Sequence, residues 1–195
     1  MGESRFKTAA ILAGGKSSRM GFNKELLKVN GESLIGRNIV KLQNIFSEII
    51  VVTNNPDYYS DLDVITIQDI YFQKGPLSGI HAALKRSSSE YIYILACDMP
   101  NLNMHFIEHM IEMADKKSPE ILVAKIKGRI EPFNGLYSKR LIGRVEELLK
   151  TDNLAVNDLI ERSVVEFIDL DVTTESGDMF LNINTQQELK EYKEE

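Results

Sequence analysis

Short apolar runs rich in β-branched residues recur at residues 9–12, 49–53, 64–67, 91–96 and 121–124. Each has the length of a buried strand. Between them the spacing of apolar positions becomes helical. Leu34, Ile35, Ile39 and Leu42 share one side of a helix over 34–42, and Ile80, Ala83 and Leu84 do the same in a helix placed after Gly79. Strand and helix alternate, which is the pattern of parallel βαβ units whose strands are covered on both faces. Further on the pattern changes. Strands are expected at 131–138 and 164–169, separated by helices at 140–149 and 154–161, so the sheet becomes mixed. The last helix opens at Thr185-Gln186-Gln187-Glu188, where the threonine hydroxyl and the glutamate carboxylate can satisfy each other's orphan amides. The fold class is therefore α/β, a three-layer, doubly wound and mostly parallel mixed sheet. Its ligand crevice is expected beyond the carboxyl ends of the strands, where the strand order reverses.

Composition narrows the function. With 195 residues, 43% hydrophobic, the chain can fill one core, and no linker or repeat divides it, so a single domain over 1–195 is expected. A net charge of -6 disfavours nucleic acid and anionic membrane as partners, although a local basic cluster can still hold one triphosphate. Cys97 is the only cysteine, which excludes an intramolecular disulfide and fits a reducing compartment. The opening MGESRFK has no apolar core of a secretory signal, and no apolar run approaches the roughly 20 residues of a membrane span. A soluble, cytoplasmic protein is expected.

Candidate chemistry begins directly after the first strand, at Ala13-Gly14-Gly15-Lys16-Ser17-Ser18-Arg19-Met20-Gly21-Phe22-Asn23-Lys24. Paired glycines admit a close phosphate, two serines add hydroxyl donors, and Lys16, Arg19, Lys24 and Lys28 face only Glu25 as counter-charge. The Walker loop is excluded because Phe22 follows Gly21, and the dinucleotide fingerprint because its third glycine is missing. A second candidate is Asp98, at the end of the 91–96 strand in Cys97-Asp98-Met99-Pro100. A carboxylate at such a strand tip suits Mg²⁺, which takes oxygen ligands while bridging to substrate phosphates. Cys97 reads as a small buried neighbour and no nucleophile.

Together these residues resemble a known family. Leu-Ala-Gly-Gly-x-Ser-x-Arg-Met-Gly-x-x-Lys, from Leu12 to Lys24, is similar to the opening signature of the molybdenum cofactor guanylyltransferases, and Cys97-Asp98-Met99-Pro100 resembles their metal-binding motif. Gly75-Pro76-Leu77-Ser78-Gly79 with Asp69 upstream, the 131–137 segment Glu-Pro-Phe-Asn-Gly-Leu-Tyr, and the 180–185 segment Phe-Leu-Asn-Ile-Asn-Thr extend the likeness over nearly the whole chain. The resemblance implies a Rossmann-like nucleotidyltransferase fold and a magnesium-dependent transfer of GMP from GTP to the terminal phosphate of molybdenum-molybdopterin. It implies nucleotide contacts at Leu12, Ala13, Gly14, Gly15, Asp69 and Gly79, phosphate contacts at Arg19 and Lys24, Mg²⁺ at Asp98, and pterin contacts at Asn182 and Asn184. Arg19, Lys24 and Asp98 are thereby the catalytic set. Transient contact with cofactor-insertion proteins or molybdoenzymes is a further implication. Departures are Ser78, where relatives have alanine, Gln186, where proline is frequent, and Thr53, where some have an asparagine near the nucleotide.

Several alternatives stay open at this point. Asn182 and Asn184 can equally be local caps ahead of the last helix. The same motifs would serve a cytidylyltransferase for the same pterin, a sugar-phosphate nucleotidyltransferase, or a non-catalytic GTP-binding module. His105-Phe106-Ile107-Glu108-His109 matches a zinc-hydrolase pattern. However, Phe106, Ile107, Met110, Ile111 and Ala114 form the apolar stripe of that helix and leave both histidines and Glu108 on its wet side.

Overall fold

The computed structural model describes residues 5–14, 23–71, 74–151, 154–171 and 178–194. Seven strands form one sheet: β1 (Thr8–Leu12), β4 (Glu48–Val52), β5 (Ile65–Ile67), β6 (Tyr91–Ala96), β7 (Ile121–Ile126), β8 (Arg129–Ser138) and β9 (Val165–Leu170), while β2 (Lys28–Val29) and β3 (Glu32–Ser33) make a separate hairpin. The order across the sheet is β5-β4-β1-β6-β8-β7-β9. β5, β4, β1 and β6 are mutually parallel, β8 is antiparallel to both its neighbours, and β9 runs parallel to β7. The chain winds outward from β1 through β4 to β5, then returns to place β6 on the other side of β1. The strand order therefore reverses between β1 and β6, which is where a ligand crevice forms in an open α/β sheet.

The period-two alternation of the strands explains the two layers of helices. Ala9, Ile11, Ile49, Val51, Tyr93 and Leu95 face α1 (Leu34–Leu42) and α3 (Met104–Lys117). Ala10, Ile50, Val52, Ile92, Ile94 and Val123 face α2 (Pro76–Arg86), α4 (Ile142–Leu149) and α5 (Val156–Glu161). A third, smaller cluster joins Leu27, Val29 and Leu34 to Ile183, with Leu189 and Tyr192 of the final helix α6 (Gln186–Glu194) packed against it. That helix begins in the expected box: the Glu188 amide donates to Thr185 Oγ1 at 3.0 Å and the Thr185 amide to Glu188 Oε2 at 2.9 Å. Among the described residues no helix is long and apolar enough to cross a membrane.

Some boundaries move for identifiable reasons. The helix expected after Gly79 starts at Pro76, because proline's fixed φ suits the first helical position and Gly75, at φ 67°, closes the turn before it. Gly79 is thus inside the helix. β8 starts at Arg129, since Lys127 and Gly128 both have positive φ (51° and 77°) and make the tight turn of a hairpin with β7. The 140–149 segment divides into a 3-10 turn, Lys139–Leu141, and α4, and the 154–161 helix shortens to α5. β8 also carries an irregularity: the four residues between Glu131 and Leu136 stand where β7 has only Val123 between Ala124 and Leu122.

Gly135 lies in that irregularity because β7 comes too close for a side chain. A Cβ there would be 2.7 Å from Val123 Cγ1 and 3.0 Å from Leu122 O. Gly135→Ala is expected to lower stability by roughly 1–3 kcal/mol, the usual range for an overpacked core. Urea unfolding measures it, and an unchanged midpoint contradicts this packing.

Candidate functional site

Strand adjacency brings the two sequence candidates together. Leu12 and Ala96 are register partners at the ends of β1 and β6, and the Cys97 amide extends the ladder by donating to Leu12 O at 3.2 Å. The turn that follows is held from two further sides. Asn38 Nδ2, fully buried on α1, donates to Met99 O at 2.9 Å, and the Ile183 amide donates to Asp98 O at 2.9 Å. Asp98 is consequently presented at the sheet edge with its side chain only 12% exposed.

Lys24 meets it there. Lys24 lies in a 3-10 turn, Lys24–Leu26, whose start is capped by Asn23 Oδ1 accepting from the Glu25 amide at 3.0 Å. This turn aims Lys24 Nζ at Asp98 Oδ2, 2.5 Å away, and at Asn184 Oδ1, 2.8 Å away. Three residues from three distant parts of the chain thus share one point. Among the described residues no three His, Cys, Asp or Glu side chains cluster as a metal cage. One carboxylate beside an amide oxygen is a donor set for a hard cation that keeps waters and takes substrate phosphate oxygens. Asp98 fits Mg²⁺ on that chemistry.

The other half of the site lies across the tip of β1. Gly79 faces Leu12 and Asp69: a Cβ on it would be 3.2 Å from Leu12 Cδ2 and 3.6 Å from Asp69 Oδ1. Glycine lets the first turns of α2 approach both. Asp69 Oδ1 is buried and has no hydrogen-bond donor among the described residues, and burial pushes its carboxyl from 3.8 up to about 6. Such an orphaned acceptor is suited to a ligand N–H or O–H.

The model of the MobA-like NTP transferase domain matches residues 9–167. The chain belongs to that family. It is 41% identical over 201 residues to the probable molybdenum cofactor guanylyltransferase of Peptoclostridium acidaminophilum, covering 99% of this chain and 91% of that protein. Identity to the molybdenum cofactor guanylyltransferase of Syntrophotalea carbinolica is 35% over 192 residues, covering 97% and 91%. In fold the chain is similar to molybdopterin-guanine dinucleotide biosynthesis protein A from Archaeoglobus fulgidus, with a TM-score of 0.82, 23% identity, and coverage of 96% and 97%.

Within this MobA-like domain the expected site residues fall into distinct groups. Lys24, Asp98 and Asn184 converge, and Leu12, Asp69 and Gly79 converge beside them. Gly15 and Arg19 lie outside the described residues. Asn182 does not join either group. Its Nδ2 donates to Phe180 O at 3.1 Å and its own carbonyl accepts from Asn184 Nδ2 at 3.4 Å, a local cap. The amides of Ala13 and Gly14 both donate to Val52 O, at 2.9 and 2.8 Å, so these residues can offer a nucleotide carbonyl oxygen and Cα surface but no N–H. Cys97 is buried, and desolvation together with the neighbouring Asp98 charge pushes its thiol up to about 12, which keeps it protonated. His105 and His109 lie exposed on α3, as the apolar stripe requires.

Thr53 is engaged elsewhere. It is 1% exposed, donates to Glu25 Oε2 at 3.1 Å and accepts the Asn55 amide at 2.9 Å, while Asn55 Nδ2 adds a second donor to Glu25 at 3.3 Å. Glu25 was not a sequence candidate. Its carboxyl is raised by burial, with the two side-chain hydrogen bonds pulling the other way. It ties the turn that carries Lys24 to the end of β4. Asn38 was missed as well, although a polar residue inside the apolar stripe of α1 was a readable signal.

Asp69 supplies a test. Its folded carboxyl holds the proton more tightly than an unfolded one, so folding takes up a proton between pH 3.8 and about 6. Stability from this group is therefore highest below that window and falls as pH rises through it. Asp69→Asn is expected to remove the slope and raise stability at pH 7 by about 1–2 kcal/mol, after allowance for solvent screening. Thermal unfolding from pH 4 to 8 reads it, and parallel curves for the two proteins would contradict the assignment.

Proposed function

We propose that this chain transfers GMP from GTP to the terminal phosphate of molybdenum-molybdopterin, forming the guanine dinucleotide cofactor and releasing pyrophosphate. The observation that carries this reading is the meeting of Lys24, Asp98 and Asn184 at the point where the strand order reverses. Relatives 35% and 41% identical are named molybdenum cofactor guanylyltransferases, which supports the choice of substrates.

The chemistry asks little of a general base. A phosphate monoester has its second pKa near about 6 and is largely dianionic at neutral pH. The obstacle is repulsion between this anion and a triphosphate. Lys24, with Arg19 from the signature loop, offsets that repulsion and the charge gathering on pyrophosphate. A Mg²⁺ ion held by Asp98 would supply further charge neutralisation at the phosphates. Asp69 accepts from the nucleoside, for which the guanine amino and imino groups are suited donors, and Gly79 gives the base room against Leu12. Asn184 orients the incoming phosphate against Lys24. Alignment and charge screening are thus the whole of the catalysis.

Pyrophosphate release from GTP, CTP, ATP and UTP, each with and without molybdenum-loaded pterin, tests the reading. Release from GTP alone, and only with the pterin, is expected. A preference for CTP would reassign the base, and tight GTP binding without release would make the chain a binding module. Asp98→Asn keeps the shape of the side chain and an acceptor for Lys24, so the circular dichroism spectrum should hold, with a modest loss of melting temperature from the lost charge pair, while turnover falls by about 10²-fold or more. Full turnover in that variant removes Asp98 from the mechanism.

A further inference from the structure

Asn134 is a polar residue, 1% exposed, in the irregular part of β8. Its φ of 63° is left-handed, a conformation that side chains other than glycine adopt reluctantly and asparagine most readily. A backbone need alone would be met at less strain by glycine, which stands at the very next position. The side chain accounts for the asparagine. Tyr93 Oη, fully buried on β6, donates to Asn134 Oδ1, and Asn134 Nδ2 donates to Met179 O at 3.4 Å. Tyr93 is itself fixed by stacking on Phe46, with ring centroids 5.6 Å apart.

Both ends of this amide lead to the site. Tyr93 belongs to the strand whose tip presents Asp98. Met179 opens the segment that continues through Phe180, packed edge-on against Phe106, to Ile183 on Asp98 O and Asn184 on Lys24. Leu12 and Gly79 meet on the opposite face of the sheet, in the layer of α2, whereas Tyr93, Phe106, Phe180 and Met179 belong to the layer of α1 and α3, and Asp69 follows β5, two strands beyond β1. We infer that Asn134 is a positioning residue: its buried amide, bridging Tyr93 and Met179, sets residues 179–184 and so places Asn184 for the acceptor phosphate, with a smaller effect on GTP through Lys24 and none on the Leu12, Asp69 and Gly79 half. The inference rests on the guanylyl-transfer reading for the identity of the acceptor.

Asn134→Gly retains the left-handed backbone and removes only the bridge. Tyr93→Phe removes one hydrogen bond from the same bridge and serves should the first variant fail to fold. Two measurements on the full chain are made. Amide hydrogen exchange without substrates should rise about tenfold across 179–184 and stay unchanged in β1 and α2. Steady-state kinetics should show the KM for molybdenum-loaded pterin rising about tenfold and the KM for GTP rising distinctly less. Unchanged exchange at 179–184, or the two KM values rising by the same factor, overturns the proposal. A wild-type protein that releases no pyrophosphate with the pterin refutes the functional reading itself, before any variant is compared.

Discussion

A carboxylate shielded from water to the extent of Asp98 is strongly disfavoured unless an opposite charge stands against it. Lys24 provides that charge, and the arrangement of the chain around the site follows from bringing it there. β6 must lie beside β1 so that the turn at Cys97 and Asp98 hydrogen-bonds Leu12. The 3-10 turn that carries Lys24 must be anchored, by buried Glu25, to Thr53 and Asn55. The segment before the last helix must close over the pair, with Ile183 on the Asp98 carbonyl and Asn184 on Lys24.

The same constraint separates the site into two halves that answer to different elements. Leu12, Asp69 and Gly79 depend on how closely α2 approaches the end of β1, which a single missing Cβ permits. Lys24, Asp98 and Asn184 depend on β6 and on the carboxyl-terminal segment. In a protein of net charge -6, the stretch from Gly14 to Lys28 is locally basic, with Lys16, Arg19, Lys24 and Lys28 against Glu25 alone. The orphaned Asp69 carboxyl, raised by burial, is a stability cost of the first of these halves.

Legibility in the sequence tracked locality. The 34–42 helix and the 91–96 strand appear with the expected bounds because each is specified by its own periodicity. Asp98 was readable because an uninterrupted apolar strand stops abruptly at it, and Lys24 because it closes a distinctive signature. What escaped depends on partners far along the chain or on backbone direction. Nothing local to Glu25 reveals that Thr53 and Asn55 will bury it. The two glycines could not disclose that the Gly14 amide turns to Val52, nor Asn182 that its side chain would fold onto Phe180 O. The β2–β3 hairpin has two residues per strand, too few for any period to show. Asn134 stood within a motif quoted in full, but its left-handed backbone and its bond to Met179 exist only once β8 is irregular against β7.

The most direct test of the Lys24–Asp98 centre is a crystal structure with Mn²⁺ and a non-hydrolysable GTP analogue, using the anomalous signal of manganese to place the ion. The account predicts an ion within about 2.0–2.3 Å of the Asp98 carboxylate, with the nucleoside beside Asp69 and Lys24 turned to a phosphate oxygen. An ion and triphosphate bound away from the tips of β1 and β6 would contradict it.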